Sequence, residues 1–481
     1  MCGFVGFASA KHDAEQAKQT IKQMADLIAH RGPDGEGFYV DEQVALGHRR
    51  LSIIDLEGGR QPMFNEDGSI VIVFNGEIYN FMELRAQLEA AGHTFSTHSD
   101  TEVLIHGYEE WGSGLPAKLR GMFAFILWDK ANETLFGARD IFGIKPYYYY
   151  NEGGHFIFGS EIKGFLPHPG FKKELNEERL PEYLSIEYIP NEETMFKGVY
   201  KLPGAHMFTW KKGELKVERY YDIRYHVDET KSLEDWEKAI TETFAESVKV
   251  HQIADVEVGC FLSSGVDSSF VVNEVSKGTP KVKSFSVGYE EEKYSELPYA
   301  QAFSKEIGVP SIANKVSADE FFEANKTIQW YLDEPMPNPS EVPLYFLTKN
   351  AARYVKVVLS GEGADELFGG YPLYCAAHHF EEYEHKTPRF VRKAAGAVAG
   401  VLPDFKGKNF LMRGAKEPWQ RCMRANYVFA TPAERDKYLK KQYHKKTPEE
   451  FFKPYFDASA GLDEPTQLQW VDIHTWMLYD I

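Results

Sequence analysis

The sequence predicts two different architectures in one chain, a layered α+β first half and an α/β second half built on a parallel sheet. Three observations support this division. The 481 residues, 43% of them hydrophobic, suffice for two or three domains with sizeable cores. Short strand patterns separated by turn residues fill much of the first half. From about residue 231 onward, helix and strand patterns alternate.

The first elements are a strand and an amphipathic helix. Cys2 to Ala8 is a short apolar run of the kind found in buried strands. The segment from Ala14 to Ala29 places Ile21, Met24 and Ile28 at the spacing of one helical face. We therefore expect a strand followed by a helix with one apolar side.

Further strands and helices follow. Strand patterns at 44–55 and 69–75 flank a turn at 65–68. Asn80 is expected to cap a helix that ends near Gly92.

A second helix is indicated by Ser99 and Glu102, which have the spacing of a capping box. Asp100 would then lie in the first turn, where a carboxylate is electrostatically tolerated. Four more short strands are predicted at 122–129, 134–140, 146–150 and 155–159. Helices mixed with antiparallel-looking strands predict a layered α+β domain.

The domain boundary is expected where the pattern becomes irregular, after a hairpin around Lys211 to Gly213. We predict a first domain at 1–210, a linker at 211–230 and a second domain at 231–481. A helix at 231–252 opens the second domain. Its apolar residues are spaced for one buried face: Leu233, Trp236, Ile240, Phe244 and Val248.

A βαβ series follows this helix. Strands are predicted at 256–262, 282–288, 311–315 and 355–359, and helices at 267–276, 295–307, 318–331 and 342–354. Nearly continuous apolar strands joined by helices predict a parallel sheet covered on both faces, with ligands at the carboxyl ends of its strands. The loops at 263–269 and 360–371 both lie at such ends.

Composition limits the classes of partner. A formal net charge of −18 argues against general nucleic-acid or anionic-membrane binding. The span from Lys386 to Lys453 carries 17 Lys/Arg against 6 Asp/Glu, which we interpret as solvated helix faces. The cysteines at 2, 260, 375 and 422 form no CxxC pair and are expected to be reduced thiols. With neither a secretory signal nor a membrane span in the sequence, we expect a cytoplasmic protein.

The loop Ser263-Ser264-Gly265 has the residue types of an anion-binding turn. Small hydroxyl and glycine residues leave backbone N–H groups open, and the helix that follows adds its positive end. Asp267 could hold a magnesium ion beside bound phosphates. The alternative is a capped helix after a buried strand, without a ligand.

The second loop carries Glu362, Asp365 and Glu366 beside Gly361 and Gly363. Three neighbouring carboxylates repel each other unless a cation is present, so a magnesium role for Asp365 together with Asp267 is physically sensible. The alternative is an acidic surface turn.

Cys2 could be a nucleophile. If Met1 is removed, Cys2 carries both a thiol and a free α-amine, and the amine can accept the thiol proton. Arg50 could clamp a carboxylate, and Asn75 with the Gly76 N–H could donate to an oxyanion. The alternatives are a buried apolar cysteine, a surface ion pair and a hairpin turn.

Seven ordered segments of the first half together resemble the glutaminase domain of glutamine-dependent asparagine synthetases. They are MCGFVGF, RGPD at 31–34, RRLSIID at 49–55, NGEIYN at 75–80, SDTE at 99–102, GMFAFILWD at 121–129 and ARDIFGIKPYYY at 138–149. The resemblance implies an N-terminal-nucleophile fold in which Cys2 attacks the glutamine amide, Asn75 and Gly76 form the oxyanion hole and Asp100 binds the α-amine. The glutamine-binding residues that it implies are Arg50, Leu51, Ser52, Ile53, Ile54, Asn75, Gly76, Glu77 and Asp100.

In the second half, the loops at 263–269 and 360–371 resemble the ATP pyrophosphatase site of the same family. The resemblance implies that Glu362 supports acyl-adenylate chemistry and that Asp267 and Asp365 bind Mg2+. The ATP-binding residues that it implies are Leu262, Ser263, Ser264, Gly265, Asp267, Ser268, Ser269, Val287, Ser360 and Gly361. Ser264 departs from the family's SGGxDSS pattern, and a positive φ there would cost ~1 kcal/mol or more.

The fold implied is therefore an α+β N-terminal-nucleophile layered sandwich followed by an α/β parallel-sheet ATP pyrophosphatase domain. The implied reaction makes asparagine from aspartate, glutamine and ATP through β-aspartyl-AMP, with ammonia passing through an internal channel and a homodimer expected. Family members usually continue beyond the position of Ile481 with a segment that includes a lysine, so the second domain is expected to be incomplete. Two alternatives stay open: another carboxylate acceptor, or a glutaminase or binding protein with an inactive synthetase half.

Overall fold

The computed structural model describes residues 1–421, 429, 432–444 and 448–479. The chain forms two compact units, one made of 1–174 with 196–361 and the other of 175–195 with 362–481. Both halves predicted from the sequence contribute to the first unit. The proposed domain boundary therefore does not coincide with the division between units.

The strands and helices are named here in chain order. The strands are β1 Gly3–Ala8, β2 Gly35–Val40, β3 Val44–Arg50, β4 Met63–Phe64, β5 Ile70–Ile78, β6 Gly121–Asp129, β7 Thr134–Arg139, β8 Tyr148–Glu152, β9 His155–Gly159, β10 Val199–Lys201, β11 His206–Lys211, β12 Glu214–Arg219, β13 Val258–Phe261, β14 Ser284–Tyr289, β15 Ser311–Val316 and β16 Val357–Leu359. The helices are α1 Ala14–Leu27, α2 Phe81–Ala91, α3 Glu102–Trp111, α4 Leu180–Ile186, α5 Leu233–Val250, α6 Val266–Gly278, α7 Leu297–Glu306, α8 Ala318–Leu332, α9 Glu341–Ala351, α10 Ala364–Phe368, α11 Pro372–Lys386, α12 Arg389–Val401, α13 Lys408–Gly414, α14 Pro418–Arg421, α15 Pro432–Arg435, α16 Pro448–Ala458, α17 Glu464–His474 and α18 Trp476–Tyr479.

Two antiparallel sheets form the first part of the first unit. Their strand orders are β10-β8-β9-β1-β3-β2 and β12-β11-β7-β6-β5-β4. Side chains such as Phe4 and Leu46 from one sheet share a buried core with Val73 and Ile126 from the other. The alternation of strand residues thus produces a sandwich with a packed interior.

Helices cover the outer faces of this sandwich. Ile21 and Met24 of α1 pack with Val5 of the first sheet, and Leu88 of α2 packs with Phe125 of the second sheet. The layered α+β prediction is confirmed, as is the hairpin formed by β11 and β12.

A four-stranded parallel sheet, in the order β15-β14-β13-β16, completes the first unit. Its strands and the helices between them follow the predicted series closely. The parallel α/β prediction is therefore confirmed. The loops that follow β13 and β16 lie at the carboxyl ends of adjacent strands, because these two strands pair in parallel.

The second unit is helical and includes α4. Ile186 and Tyr188 share a hydrophobic core with Phe452, Leu468 and Trp476. Residues 175–195 therefore belong structurally with the C-terminal segment.

The buried face predicted for α5 is wrong along most of its length. Val248 is buried, but Leu233, Trp236 and Ile240 are 76%, 37% and 43% exposed. The helical period is present, but the described residues cover only the C-terminal part of this face.

Two predicted helix caps are also wrong. The α3 helix begins at Glu102, so Ser99 and Asp100 precede it. The Glu102 carboxylate instead accepts hydrogen bonds from the backbone and hydroxyl groups of Ser96 and Thr97. Asn80 stands at the start of α2 without capping it, because its side chain bonds to the backbone of Lys118 and Arg120.

The interpretation of the basic span as solvated helix faces is only partly correct. Arg392, Arg421 and Arg435 are buried, and Arg421 is paired with Glu464. Part of this span, including Cys422, lies outside the described residues. Cys260 is buried and Cys375 is exposed, and both are free thiols. Within the described part of the chain, no helix has the length and apolar character needed to cross a membrane.

Candidate active sites

Cys2 lies at the start of β1 and contacts the loop that follows β3. The amide N–H of Leu51 donates to the Cys2 Sγ at 3.3 Å, and the thiol lies 3.4 Å from the Leu51 carbonyl oxygen. Arg31 Nε donates to the Cys2 carbonyl at 2.9 Å. Burial raises the pKa of the Cys2 thiol, although the Leu51 hydrogen bond opposes this. The thiol therefore needs a nearby base to become a nucleophile.

Asn75 and Gly76 lie on β5, opposite β6. Asn75 is 1% exposed, and its Nδ2 is buried without a hydrogen-bond partner among the described residues. A buried donor without a partner is costly, unless a ligand supplies an acceptor. Gly76 approaches β6 so closely that a Cβ would lie 2.2 Å from the Met122 carbonyl oxygen. Only glycine fits there.

Three buried charged side chains lie near the N-terminus of the chain. Glu77, Asp100 and Lys145 are 6%, 5% and 4% exposed. Burial raises the pKa of Glu77, and the negative charge of Asp100 raises it further. Burial lowers the pKa of Lys145, although the negative charge of Glu77 opposes this change. Burial also raises the pKa of Asp100 to about 6, although the Ile78 N–H donates to this carboxylate at 3.0 Å.

Lys145 is a site residue that the sequence reasoning did not select, although it stands within the 138–149 segment. Its Nζ donates to the Met1 Sδ at 2.9 Å, and a thioether is a weak acceptor. The loop that carries Lys145 is held by Asp140, which accepts from the Lys145 N–H at 3.0 Å. A buried lysine cannot be recognised from its spacing alone.

Arg50 holds the 51–56 loop in its folded shape. Its guanidinium donates to the carbonyl oxygens of Leu56 at 2.8 Å, Asp55 at 2.6 Å and Ile54 at 3.3 Å. The carboxylate clamp proposed for Arg50 therefore stays a prediction. The Ser52 N–H donates to Asp34 Oδ2 at 2.9 Å, which explains the need for the RGPD segment beside this loop.

The same loop reaches the segment before the parallel sheet. The Asp255 N–H donates to the Ile53 carbonyl oxygen at 3.0 Å, and the Asp55 N–H donates to Asp255 Oδ2 at 2.8 Å. Leu51 touches Cys2 at one end of the loop, while Asp55 is tied to Asp255 at the other. The thiol and the parallel sheet are thus connected through five residues.

The loop after β13 is closed by its own serine residues. The Gly265 N–H donates to Ser263 Oγ at 3.2 Å, the Ser263 N–H donates to Ser268 Oγ at 3.2 Å, and the two hydroxyl oxygens lie 3.0 Å apart. The α6 helix begins directly after Gly265. Its first N–H groups have no intrahelical acceptor, which suits an anion.

Ser264 departs from the usual backbone geometry, as the sequence suggested it could. Its φ of 97° lies in the left-handed region, which glycine adopts easily and serine does not. Asp267 lies in the first turn of α6. Its carboxylate forms no hydrogen bond or ion pair with the described residues, so it remains available to a cation.

The loop after β16 meets the loop after β13 at Gly361. A Cβ on Gly361 would lie 2.8 Å from the Asp267 Cβ and 3.0 Å from the Ser268 amide nitrogen. Ser360 is the exposed residue before this contact. The two loops predicted to share a ligand are therefore adjacent.

The remaining nucleotide-site residues lie around the same edge of the sheet or in the second unit. Leu262 donates its N–H to Phe285 at 2.9 Å, while Val287 lies further along β14. Glu362 and Asp365 belong to the second unit. Partial burial raises the pKa of Glu362, and the negative charges of Glu366 and Asp365 add to this.

Comparison with known proteins assigns both halves. Residues 1–221 match the glutamine amidotransferase domain family and residues 239–481 match the asparagine synthase family. The chain is 40% identical to asparagine synthetase [glutamine-hydrolyzing] 1 of Bacillus subtilis, over 100% of this chain and 76% of that protein. The chain belongs to the glutamine-hydrolysing asparagine synthetase family. The family resemblance seen in the sequence motifs is confirmed.

A second relative agrees with this assignment. A putative asparagine synthetase [glutamine-hydrolyzing] of Mycobacterium bovis is 37% identical over 100% of this chain and 77% of its own length. Among solved structures, a glutamine phosphoribosylpyrophosphate amidotransferase from B. subtilis matches at 18% identity and a TM-score of 0.35, covering 65% of each chain. Membership of the asparagine synthetase family makes this chain a glutamine-dependent enzyme that uses ATP as a substrate.

Proposed function

We propose that the chain synthesises L-asparagine from L-aspartate, with ammonia released from L-glutamine at Cys2 and with β-aspartyl-AMP as the activated intermediate. The observation that carries this proposal is the 51–55 loop. It contacts the thiol through Leu51 and the approach to the parallel sheet through Asp255, within one compact unit. Cys2 and the Ser263 to Ser269 loop therefore belong to the same compact unit.

The first step is attack of the Cys2 thiol on the glutamine amide carbon. After removal of Met1, the amine of Cys2 takes the thiol proton and passes a proton to the departing ammonia. The Asn75 Nδ2–H and the Gly76 N–H donate to the oxyanion, which supplies the acceptor that Asn75 lacks. Water then hydrolyses the thioester to glutamate. Asp100 binds the substrate α-ammonium group, and Arg50 binds its carboxylate.

The second step activates aspartate. Its side-chain carboxylate attacks the α-phosphorus of ATP, pyrophosphate leaves, and ammonia then displaces AMP. The loop from Ser263 to Ser269 holds the pyrophosphate portion with backbone N–H groups and hydroxyls. Leu262, Val287, Ser360 and Gly361 contact the nucleotide, and Glu362 assists the adenylate chemistry.

A magnesium role is supported by the chemistry of Asp267. Its carboxylate is not engaged by the described residues and is a ligand type that a hard cation prefers, and Asp365 is the second ligand of the proposal. When bound, Mg2+ would neutralise phosphate charge. We also propose a cytoplasmic location, a homodimer and a boundary at 211–230, although β12 occupies residues 214–219 within that stretch.

The test separates the two steps with one substitution. In Cys2→Ala, glutamine-dependent asparagine synthesis should fall to background, because no other residue replaces the nucleophile. Ammonia-dependent synthesis should be unchanged. Cys375→Ala removes an exposed thiol and is the matched control, with both activities expected intact.

Two outcomes would overturn the proposal. Equal loss of both activities in Cys2→Ala would contradict the division of labour between the sites. Release of AMP with another carboxylate, but not with aspartate, would change the acceptor. Ammonia-dependent asparagine formation at wild-type rates in Cys2→Ala supports both assignments.

A further inference from the structure

Two histidines and a glutamate meet on the outer side of the first unit, at the junction of α2 and α3. His93 follows Gly92, which ends α2 in a left-handed conformation. His106 and Glu109 are three residues apart on α3, so their side chains lie on one helical face. The three ligand atoms offered by these side chains all lie within 4.8 Å of one another.

Glu109 lies between the two imidazole rings. Its Oε2 is 2.9 Å from His106 Nδ1 and 3.5 Å from His93 Nδ1. Around a tetrahedral Zn2+ with bonds of about 2.0–2.1 Å, neighbouring ligand atoms are about 3.4 Å apart. These two separations are already close to that value. Small side-chain rotations would open the space for an ion.

The other polar atoms of the cluster are oriented as outer partners of a metal site usually are. Asn65 Nδ2 donates to Glu109 Oε1 at 2.9 Å, which directs Oε2 toward the rings. Glu110 Oε2 lies 3.4 Å from His93 Nε2, on the far side of that ring. A carboxylate beside the second ring nitrogen fixes the tautomer of a metal-binding histidine.

His106 supplies the strongest indication. Its side chain is 2% exposed, and its Nε2 is buried 3.8 Å from Glu102 Oε1 without a hydrogen bond. If the proton of a neutral ring stands on Nε2, facing Glu102, then Nδ1 presents a lone pair to the Glu109 carboxylate. Two acceptors at 2.9 Å repel each other. In the other neutral tautomer the Nδ1–H donates to Glu109 Oε2 at 2.9 Å, and a metal ion would take the place of that hydrogen.

A hydrogen on His106 Nδ1 would lie on the line to Glu109 Oε2, so a metal ion bound there would displace it. Metal binding would then release that proton and weaken in acid.

We propose that His93, His106 and Glu109 bind a divalent transition metal of the zinc class, with water in the fourth position. Two imidazoles and one carboxylate form a set of donors that zinc accepts. The ion links the end of α2 to α3 and so clamps the intervening 93–101 segment. That segment contains Asp100, a proposed glutamine ligand, so the ion would have a structural role in the glutaminase half.

The test is a titration of the dialysed protein with Co2+ and then Zn2+. Wild-type protein should bind one equivalent of Co2+ with the intense visible absorption of a four-coordinate ion, and Zn2+ should displace it. Glu109→Gln and His93→Ala should both lose this equivalent. The matched control His98→Ala removes an exposed histidine of the same segment and should bind as wild type does.

Folding is checked separately, by the thermal unfolding midpoint without metal. The His93→Ala variant lies at the rim, with an 18% exposed side chain, and should match wild type there. Zn2+ should raise the midpoint of wild type and His98→Ala only. Failure of wild type to take up the four-coordinate equivalent, or its persistence in both site variants, would overturn the proposal and leave His106 as a protonated ion-pair partner.

Discussion

Gly361 meets the first turn of α6 so closely that a Cβ on this glycine would lie 2.8 Å from the Cβ of Asp267. Real Cβ atoms do not approach one another to this distance, so the loop after β16 depends on glycine here. The contact joins the two loops at the edge of the parallel sheet. It therefore ties the position of Asp267, the proposed magnesium ligand, to the position of the second loop.

Gly361→Ala should separate these loops and reduce adenylate formation strongly, on the order of 10²-fold, because misplacement by about 1 Å has that effect on positioned groups. Aspartate-dependent exchange of pyrophosphate into ATP measures it. Glutaminase activity should be retained, because the hydrogen bonds of Cys2 are with Leu51 and Arg31 and not with either of these loops. Gly278→Ala is the control, since a Cβ there meets nothing within 4 Å. Equal activity of both variants would show that the close contact is unimportant.

Asn75→Ala should reduce the kcat for glutamine hydrolysis by about 10²–10³-fold, the usual effect of losing one oxyanion donor. The Nδ2 of Asn75 is buried and has no partner among the described residues, so its removal takes a hydrogen bond from none of them. Ammonia-dependent synthesis should not change. Asn80→Ala is the nearby control, because its amide already donates to the Lys118 carbonyl oxygen. A kcat within about threefold of wild type would exclude Asn75 from the oxyanion hole.

Glutamine affinity should weaken in acid because Asp100 must be ionised to bind an α-ammonium group. Burial raises the pKa of this carboxyl to about 6. Bound glutamine stabilises the charged form, so protons compete with it below that pH. In the Cys2→Ala variant, the Kd for glutamine should be constant above pH 7 and rise about tenfold per unit well below pH 6.

Two variants identify the titrating group. Asp100→Asn should bind weakly at every pH, with a flat profile. Glu77→Gln should still show the rise in Kd below pH 6, although the pKa of Glu77 is also raised by burial and by Asp100. A flat profile in Glu77→Gln would assign the titration to Glu77 and contradict the role given to Asp100.

The fold was predictable where a pattern repeats. Alternating or continuous apolar runs located β5, β6 and the parallel strands, because each such strand buries at least one face. The period of α5 was also visible, but Trp236 and Ile240 are exposed. A helical pattern shows that one face is apolar, and it does not show that a neighbouring element covers that face.

The site was predictable where the motif residues contact one another along a short loop. Cys2 and Leu51, which the resemblance assigned to the same substrate, are in contact. Lys145 could not be selected, because its burial beside Met1 depends on how β7 and β8 are joined. The Ser99 to Glu102 capping box failed because Glu102 already accepts four hydrogen bonds from Ser96 and Thr97. Spacing indicates candidate partners, and competition among them is settled only in three dimensions.

Ser264→Gly should stabilise the protein by about 1 kcal/mol, because glycine adopts a positive φ without the steric cost that a Cβ imposes. The observed φ at Ser264 is 97°. The thermal unfolding midpoint should rise by about 1–2 °C. Ser264→Ala is the matched control, since alanine removes the hydroxyl and keeps the Cβ, and it should give no such gain. If alanine stabilises the chain as much as glycine does, the serine hydroxyl and not the backbone is the source of the strain.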